Sequence, residues 1–226
     1  MSIKSNLENV RQAIKTACEA NNKPKGAVKL IAVSKTVPID VIMEAYGCGQ
    51  RVFGENKIQE LETKAPVMPD DIEWHLIGHL QSNKAARAIE LAHYIHSVDS
   101  ERLLLRLDRL AGGKKRKPKI LLEVNVSGEA SKFGLKVNEL ENCVRVALMC
   151  KNLELVGFMT MASFGANEVG LNGVFSMLRE EKEKLEHKFD IQLSELSMGM
   201  SSDFRPAIAN GSTMVRIGTA IFGERN

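Results

Sequence analysis

None of the four cysteines in this sequence belongs to a CxxC pair. Cys18, Cys48, Cys143 and Cys150 lie scattered, and no histidine cluster accompanies them. That pattern argues against a metal site and for free thiols in a reducing compartment. An excess of one charge is missing as well: a formal net charge of +3 is too small to argue for a nucleic-acid partner. The one basic run, Lys114-Lys115-Arg116-Lys117, stands beside Gly112, Gly113 and Pro118 and reads as a solvated loop. No stretch approaches the roughly eighteen apolar residues of a membrane span. The first residues carry charge and amide groups too early for an apolar signal core. Internal repeats, low-complexity tracts and long linkers are absent too. These absences point to a cytoplasmic protein that binds neither nucleic acid nor membrane.

What remains is ordinary globular material, 44% hydrophobic and 26% charged, in 226 residues. Single α/β barrels occur at this length, and residues 1–226 read as one domain.

Short apolar, β-branched runs alternate with segments of helical period. Leu7, Val10, Ile14 and Ala17 form an amphipathic opening helix ahead of the first strand. Strands are then expected over Val28 to Ser34, Arg51 to Gly54, Ile72 to Gly78, Tyr94 to Val98, Lys119 to Val126, Leu153 to Thr160, Glu195 to Met200 and Val215 to Phe222. A helical segment follows each of the first seven. Eight alternations point to a (β/α)₈ TIM-type barrel with an extra N-terminal helix. An open doubly wound sheet has the same alternation and is the rival architecture. Polar residues at the strand ends favour the barrel, whose active face lies there. They are Ser34-Lys35, Glu55-Asn56, His75, Asp99, Asn125, Thr160, Ser201-Ser202 and Gly218-Thr219.

Lys35 ends an apolar strand before the turn Thr36-Val37-Pro38. A fixed stem and a partly apolar mouth favour a neutral amine, and hence a Schiff-base nucleophile. A lysine after a strand is more often simply solvated. After the seventh strand, Gly199, Ser201 and Ser202 let backbone N–H groups approach an anion, and Asp203 is placed to cap the next short helix. A second small-residue turn, Gly218-Thr219, follows in the eighth. Barrels often bind phosphate with the loops after these two strands. Arg216 alternates with Val215 and Ile217 and so faces away from both. Pointing into the mouth, it would meet a pyridine nitrogen and keep it unprotonated, because arginine only donates. Such a ring is a weak electron sink, suited to holding pyridoxal 5′-phosphate (PLP) more than to driving carbanion chemistry. The plainer alternative is a structural arginine paired with a carboxylate.

Asn56 is placed to hydrogen-bond a cofactor oxygen. His75 and His79 flank Gly78, where a flat ring could approach the backbone, although satisfied structural histidines are the commoner case. Lys132 is a surface or mouth cation in the Gly/Ser-rich loop Asn125 to Gly134.

Five segments resemble the pyridoxal phosphate homeostasis protein family: AVSKT at 32–36, FGEN at 53–56, WHLIGHLQSNK at 74–84, NVSGEASKFG at 125–134, and SMGMSSDFRPAIANGSTMVRIGTAIFG at 197–223. They keep the family's order over nearly the whole chain. The resemblance implies a barrel like the N-terminal domain of alanine racemase, with PLP as a Schiff base on Lys35. It implies phosphate contacts from Ser201, Ser202, Gly218 and Thr219, and Arg216 at the ring nitrogen. It further implies a role in B6-vitamer homeostasis and, through it, amino-acid and keto-acid metabolism, without robust catalysis. Apo-PLP enzymes are then possible recipients. One departure is Val37, where some members carry a second lysine; Lys132 is the candidate for that lysine's role in cofactor transfer. The alternatives are an amino-acid racemase and a PLP-dependent interaction module. Racemisation needs a second base on the opposite ring face. Only Tyr46 and Tyr94 are available as tyrosines, and the sequence stops soon after the last barrel strand. With no domain expected to complete the site in trans, the chain reads as a monomer.

Overall fold

Parallel strands bury both faces, which is why their sequences read as near-continuous apolar runs. In the computed structural model, which describes residues 2–114, 116–163 and 165–224, eight such strands close into a barrel in chain order. They are β1 (Lys29–Val33), β2 (Val52–Glu55), β3 (Glu73–Leu76), β4 (Tyr94–Val98), β5 (Lys119–Glu123), β6 (Glu154–Met159), β7 (Glu195–Ser197) and β8 (Met214–Ile217). Pairing of β1 with β8, from Lys29–Met214 to Ala32–Ile217, closes the ring and excludes the open doubly wound sheet.

Helix α1 (Ile3–Ala20) precedes the barrel. Helices α2 (Ile39–Gly47), α3 (Ile58–Lys64), α4 (Ala85–Leu91), α5 (Glu101–Ala111), α6 (Val137–Met149), α7 (Glu168–Phe189), α8 (Phe204–Ala209) and α9 (Thr219–Phe222) follow the strands in turn. Ser2, Ser100 and Asn167 cap α1, α5 and α7 by accepting the Ser5, Leu103 and Gly170 N–H groups. Helix α1 buries Leu7, Val10, Ile14 and Ala17, the stripe its spacing predicts. It packs against α2, α8 and α9, and the Asn6 amide donates to the Ile221 carbonyl.

Strand residues divide between two apolar clusters. Trp74, Leu76, Ile95, Ile120, Leu122, Val215 and Ile217 join the large core under the helices. Ile31, Tyr94, Leu121, Val156, Met159 and Met214 form a second cluster inside the barrel.

Several strand ends and one helix cap differ from the sequence reading; β5 and β7 stop at Glu123 and Ser197, short of the expected Val126 and Met200. Strand β3 stops at Leu76, so His75 lies within the barrel and not at its mouth. Strand β8 stops at Ile217, because Gly218 bends the chain and Thr219 starts α9. Asp203 stands at the N-cap of α8 without capping it; its carboxylate turns back to accept the Met200 N–H at 2.5 Å. The basic run is a loop element as expected, with Lys114 paired to Glu90 and Arg116 donating to the Ala92 carbonyl. Lys115 lies outside the described residues. Among those residues, no helix is long and apolar enough to cross a membrane, and no group of three or more histidine, cysteine or acidic side chains could hold a metal ion.

Between β5 and β6 the register slips: Ile120 pairs with Leu155, but Leu121 pairs with Gly157. The bulge brings Gly157, at φ +158°, so near the Glu195 carbonyl of β7 that a Cβ would overlap it. Gly157→Ala is therefore expected to lower unfolding free energy by about 3 kcal/mol or more, as strained backbone sites do. A urea midpoint unchanged from the wild type would show that β6 can shift to make room.

Candidate functional site

At the C-terminal mouth lies a cavity of ≈ 470 Å³, within the range of small-ligand pockets. Lys35, Asn56, Ser201, Ser202, Arg216, Gly218 and Thr219 all line it, so these seven candidates for cofactor binding border one space. Val33, Ile77, Met161 and Met200 provide apolar wall. A cavity of ≈ 430 Å³ near α1 is lined by Arg11, Ile14, Cys18 and Lys25 and contains none of these seven.

Lys35 follows β1 in a turn held at both flanking peptides. On one side, the Ser34 carbonyl accepts from Lys64 Nζ at 2.8 Å. On the other, the Thr36 N–H donates to Glu60 Oε2 at 2.6 Å. Thr36 has φ +59°, a left-handed conformation that costs a non-glycine residue about 1–3 kcal/mol. The Glu60 and Lys64 contacts over-determine that conformation. Lys64 is itself buried and donates to both Glu55 Oε1 (2.8 Å) and Glu60 Oε2 (2.9 Å). The Ser34 hydroxyl adds a third bond, to Glu55 Oε1 at 2.7 Å. Burial pushes the Glu55 carboxyl up to about 7 against the hydrogen bonds from Lys64 and Ser34. Its second oxygen, Oε2, is buried without a hydrogen-bond partner. The sequence reading missed Glu60 and Lys64. Their i, i+4 spacing on the helix after the FGEN segment was the available signal.

Arg216 is buried at the floor of the cavity. Nη1 donates to Ser197 Oγ at 2.6 Å and Nη2 to the Thr160 carbonyl at 2.9 Å. These are a hydroxyl and a carbonyl, not the carboxylate that a structural ion pair would supply. A guanidinium has five N–H donors, so those two bonds leave capacity toward the cavity. Burial lowers its pKa to about 10, while Asp203 and Glu123 oppose the shift, so it stays charged at neutral pH. Glu123, at the end of β5, is driven up to about 7 by burial and by Asp99, against the pull of Arg216.

Part of the cavity wall is built from small residues, Ser201, Ser202, Gly218 and Thr219. Gly199, at φ +97°, passes so close to α8 that a Cβ would stand 2.7 Å from Ala207 Cβ and 2.9 Å from Phe204 Cα. This close approach holds the loop carrying Ser201 and Ser202 against the barrel. Gly218 and Thr219 open α9, where the first N–H groups have no intrahelical acceptor. Gly78 has a different role from the one its sequence suggests. A Cβ there would overlap the Asn56 backbone, so the glycine lets two loops meet and leaves no face for a ring.

The remaining residues lie elsewhere. His75 stacks on Tyr94 with centroids 4.3 Å apart. His79 pairs with Asp99 at 3.1 Å and stacks on Phe133. Lys132 ties its own loop to the next, donating to Glu129 at 2.7 Å and to Ser163 at 3.2 Å. Tyr46 donates to Asp71 on the outer surface, and Tyr94 is packed inside the barrel.

A family described as "Alanine racemase, N-terminal domain" matches residues 2–226. The pyridoxal phosphate homeostasis protein of Aquifex aeolicus is 39% identical over 220 residues, covering 97% of this chain and 96% of that protein. The human protein of the same name is 41% identical over 232 residues, covering 97% of this chain and 84% of its own. The structure of PipY from Synechococcus elongatus with PLP bound superposes with a TM-score of 0.86 at 38% identity, over 98% of this chain and all of that one. An alanine racemase of Clostridium difficile shares the fold at 13% identity, with a TM-score of 0.76, and this chain spans 57% of it.

The raised Glu123 carboxyl has a consequence for stability. Between pH 4.5 and about 7 the folded chain holds a proton that the unfolded chain has released. Stability therefore falls as pH rises through that window, by at most about 3 kcal/mol. Glu123→Gln removes the titration. Its urea midpoint is expected to gain on the wild type across the same window and to keep a constant difference above it. A difference independent of pH throughout would show an ordinary carboxyl.

Proposed function

Since the chain belongs to the alanine racemase N-terminal domain family and, within it, to the pyridoxal phosphate homeostasis proteins, we propose that it binds PLP at the barrel mouth with Lys35 as the Schiff-base lysine. One observation carries the reading: a strand-end lysine, a buried charged arginine and two small-residue turns border the same cavity. The PLP-bound state of PipY, 38% identical, supports the same ligand here.

The residues fit that group. When bound, the cofactor supplies an electrophilic aldehyde carbon and an electron-withdrawing ring. Lys35 supplies the amine, on a backbone fixed by Glu60 and Lys64. Ser201 and Ser202, with the first N–H groups of α9 at Gly218 and Thr219, hold the phosphate. Asn56 hydrogen-bonds a cofactor oxygen. Arg216 would donate to the ring nitrogen and oppose its protonation, which would weaken the ring as an electron sink.

The role that follows is holding and distributing PLP and other B6 vitamers, through which amino-acid and keto-acid metabolism is affected. The protein acts in the cytoplasm as a one-domain monomer without robust turnover, with apo-PLP enzymes as recipients. Racemisation would need a second base across the ring, and Tyr46 and Tyr94 stand on the outer surface and in the barrel interior.

Two substitutions test this. Purified protein given PLP is expected to show the near-visible band of the covalently held cofactor, and borohydride is expected to label Lys35; Lys35→Ala should lose both. A band unchanged in Lys35→Ala would refute the assignment. Arg216→Glu should favour a protonated ring and raise reactivity toward amino acids. An unaltered spectrum and unaltered reactivity would place Arg216 away from the ring nitrogen.

A further inference from the structure

We propose that Glu73, near the end of the barrel opposite the cavity, fixes Ser197 as the acceptor for Arg216 through an unbroken chain formed by His75 and His96. The inference rests on the PLP reading only for what Arg216 meets in the cavity.

The contacts cross the barrel interior. Lys29 Nζ lies 2.8 Å from Glu73 Oε1, and His75 Nε2 lies 2.9 Å from the same oxygen. His75 Nδ1 faces His96 Nε2 at 2.7 Å, and His96 Nδ1 faces Ser197 Oγ at 2.9 Å. Arg216 Nη1 completes the chain at 2.6 Å from Ser197 Oγ. His75, His96, Ser197 and Arg216 are all buried, the last at 4% exposure and the others at 0%.

Every proton in this chain can be assigned once one end is fixed. Burial raises the Glu73 carboxyl, but the hydrogen bonds from His75 and Lys29 prevail and hold it near 2. A carboxylate only accepts, so His75 Nε2 carries a proton and donates it. Burial lowers His75 to about 4, leaving it neutral, and its Nδ1 therefore accepts. The single proton between the two rings then belongs to His96 Nε2. Burial also holds His96 well below its ordinary value. Its Nδ1 accepts from the Ser197 hydroxyl. With its one proton committed, Ser197 presents only lone pairs to Arg216.

Donation thus runs one way, from Arg216 through Ser197, His96 and His75 to Glu73. A guanidinium at one end and a carboxylate at the other polarise each bond in the same sense, which strengthens the series in a low-dielectric interior. Reversed tautomers would require a protonated Glu73, and would leave the Ser197 hydroxyl proton with neither His96 nor Arg216 able to accept it. Glu73, His75, His96 and Ser197 are on this account positioning residues: they fix which guanidinium donors are committed and which face the cavity.

The test uses the full chain labelled with ¹⁵N-histidine, without PLP, at neutral pH. Imidazole ¹⁵N couplings distinguish a protonated ring nitrogen from a bare one. Both His75 and His96 are expected to be neutral and protonated at Nε2. Glu73→Leu removes the terminal acceptor and should alter the tautomer balance of His96, which Glu73 does not touch. Glu73→Gln keeps an accepting oxygen and should restore it. In PLP titrations, Glu73→Leu should weaken binding about tenfold and Glu73→Gln by no more than about twofold, the scale on which outer-sphere partners act. If Glu73→Leu does not fold, His75→Phe, which preserves an aromatic ring against Tyr94, cuts the same chain and carries the same expectations for His96 and PLP. The proposal fails if either wild-type imidazole is charged or protonated at Nδ1. It fails equally if cutting the chain leaves His96 unchanged, or leaves PLP affinity unchanged. A wild-type chain that bound no PLP would instead overturn the reading of the cavity, while the imidazole couplings would still decide the relay.

Discussion

A guanidinium that stays charged at neutral pH, sealed inside a barrel, is the constraint around which the rest of this site is arranged. Taking such an ion out of water costs several kcal/mol even after relaxation, unless its donors are met. Barrel interiors are usually filled by layers of branched aliphatic side chains. Here that filling is confined to one part of the interior, where Ile31, Leu121, Val156 and Met214 pack together. Around Arg216 the strands turn polar instead, contributing Ser197, His96, His75 and the Thr160 carbonyl. The two histidines remain neutral, so the polar sector adds hydrogen bonds without adding a second buried cation.

The lysine side of the mouth solves a different problem. Lys35 needs a fixed base, yet it follows a strand end where the chain turns through a left-handed threonine. A buried ammonium, Lys64, and two carboxylates from β2 and α3 tie the neighbouring peptides down. This cluster is itself finely balanced, because Glu55 is buried with one oxygen unpaired and its carboxyl raised to about 7. Removing Lys64 alone would leave that carboxylate buried without its cation, and breaking buried pairs in this way costs more than deleting both partners.

Much of this could be read from the sequence, for a definable reason. Eight alternations of apolar strand runs and helical segments limit the fold to a barrel or an open doubly wound sheet, strand-end polarity favours the barrel, and strand order puts Lys35 and Arg216 at neighbouring strands of it. What escaped the reading depends on where strands stop and on contacts distant in sequence. His75 was placed at the mouth because the apolar run continues to Gly78, whereas β3 ends at Leu76. The run Val215 to Phe222 is apolar enough for one strand, and only the bend at Gly218 shows that its second half is a helix. Gly78 suggested room for a ligand, but its missing side chain is filled by the Asn56 backbone. Glu60 and Lys64 stand one turn apart on α3 with nothing in the sequence to tell them from a surface pair; folding buries Lys64 against the Ser34 carbonyl, thirty residues away.

The anchoring of Ser34 and Thr36 bears on timing. With both adjacent peptide groups pinned to α3, movement of the Lys35 side chain takes place about its methylenes and not through its backbone. Such rotamer changes take picoseconds to nanoseconds, whereas loop and lid openings take far longer. If Lys35 carries the covalently held group proposed above, residence there is governed by the chemistry of the bond and the depth of the cavity, without any backbone opening.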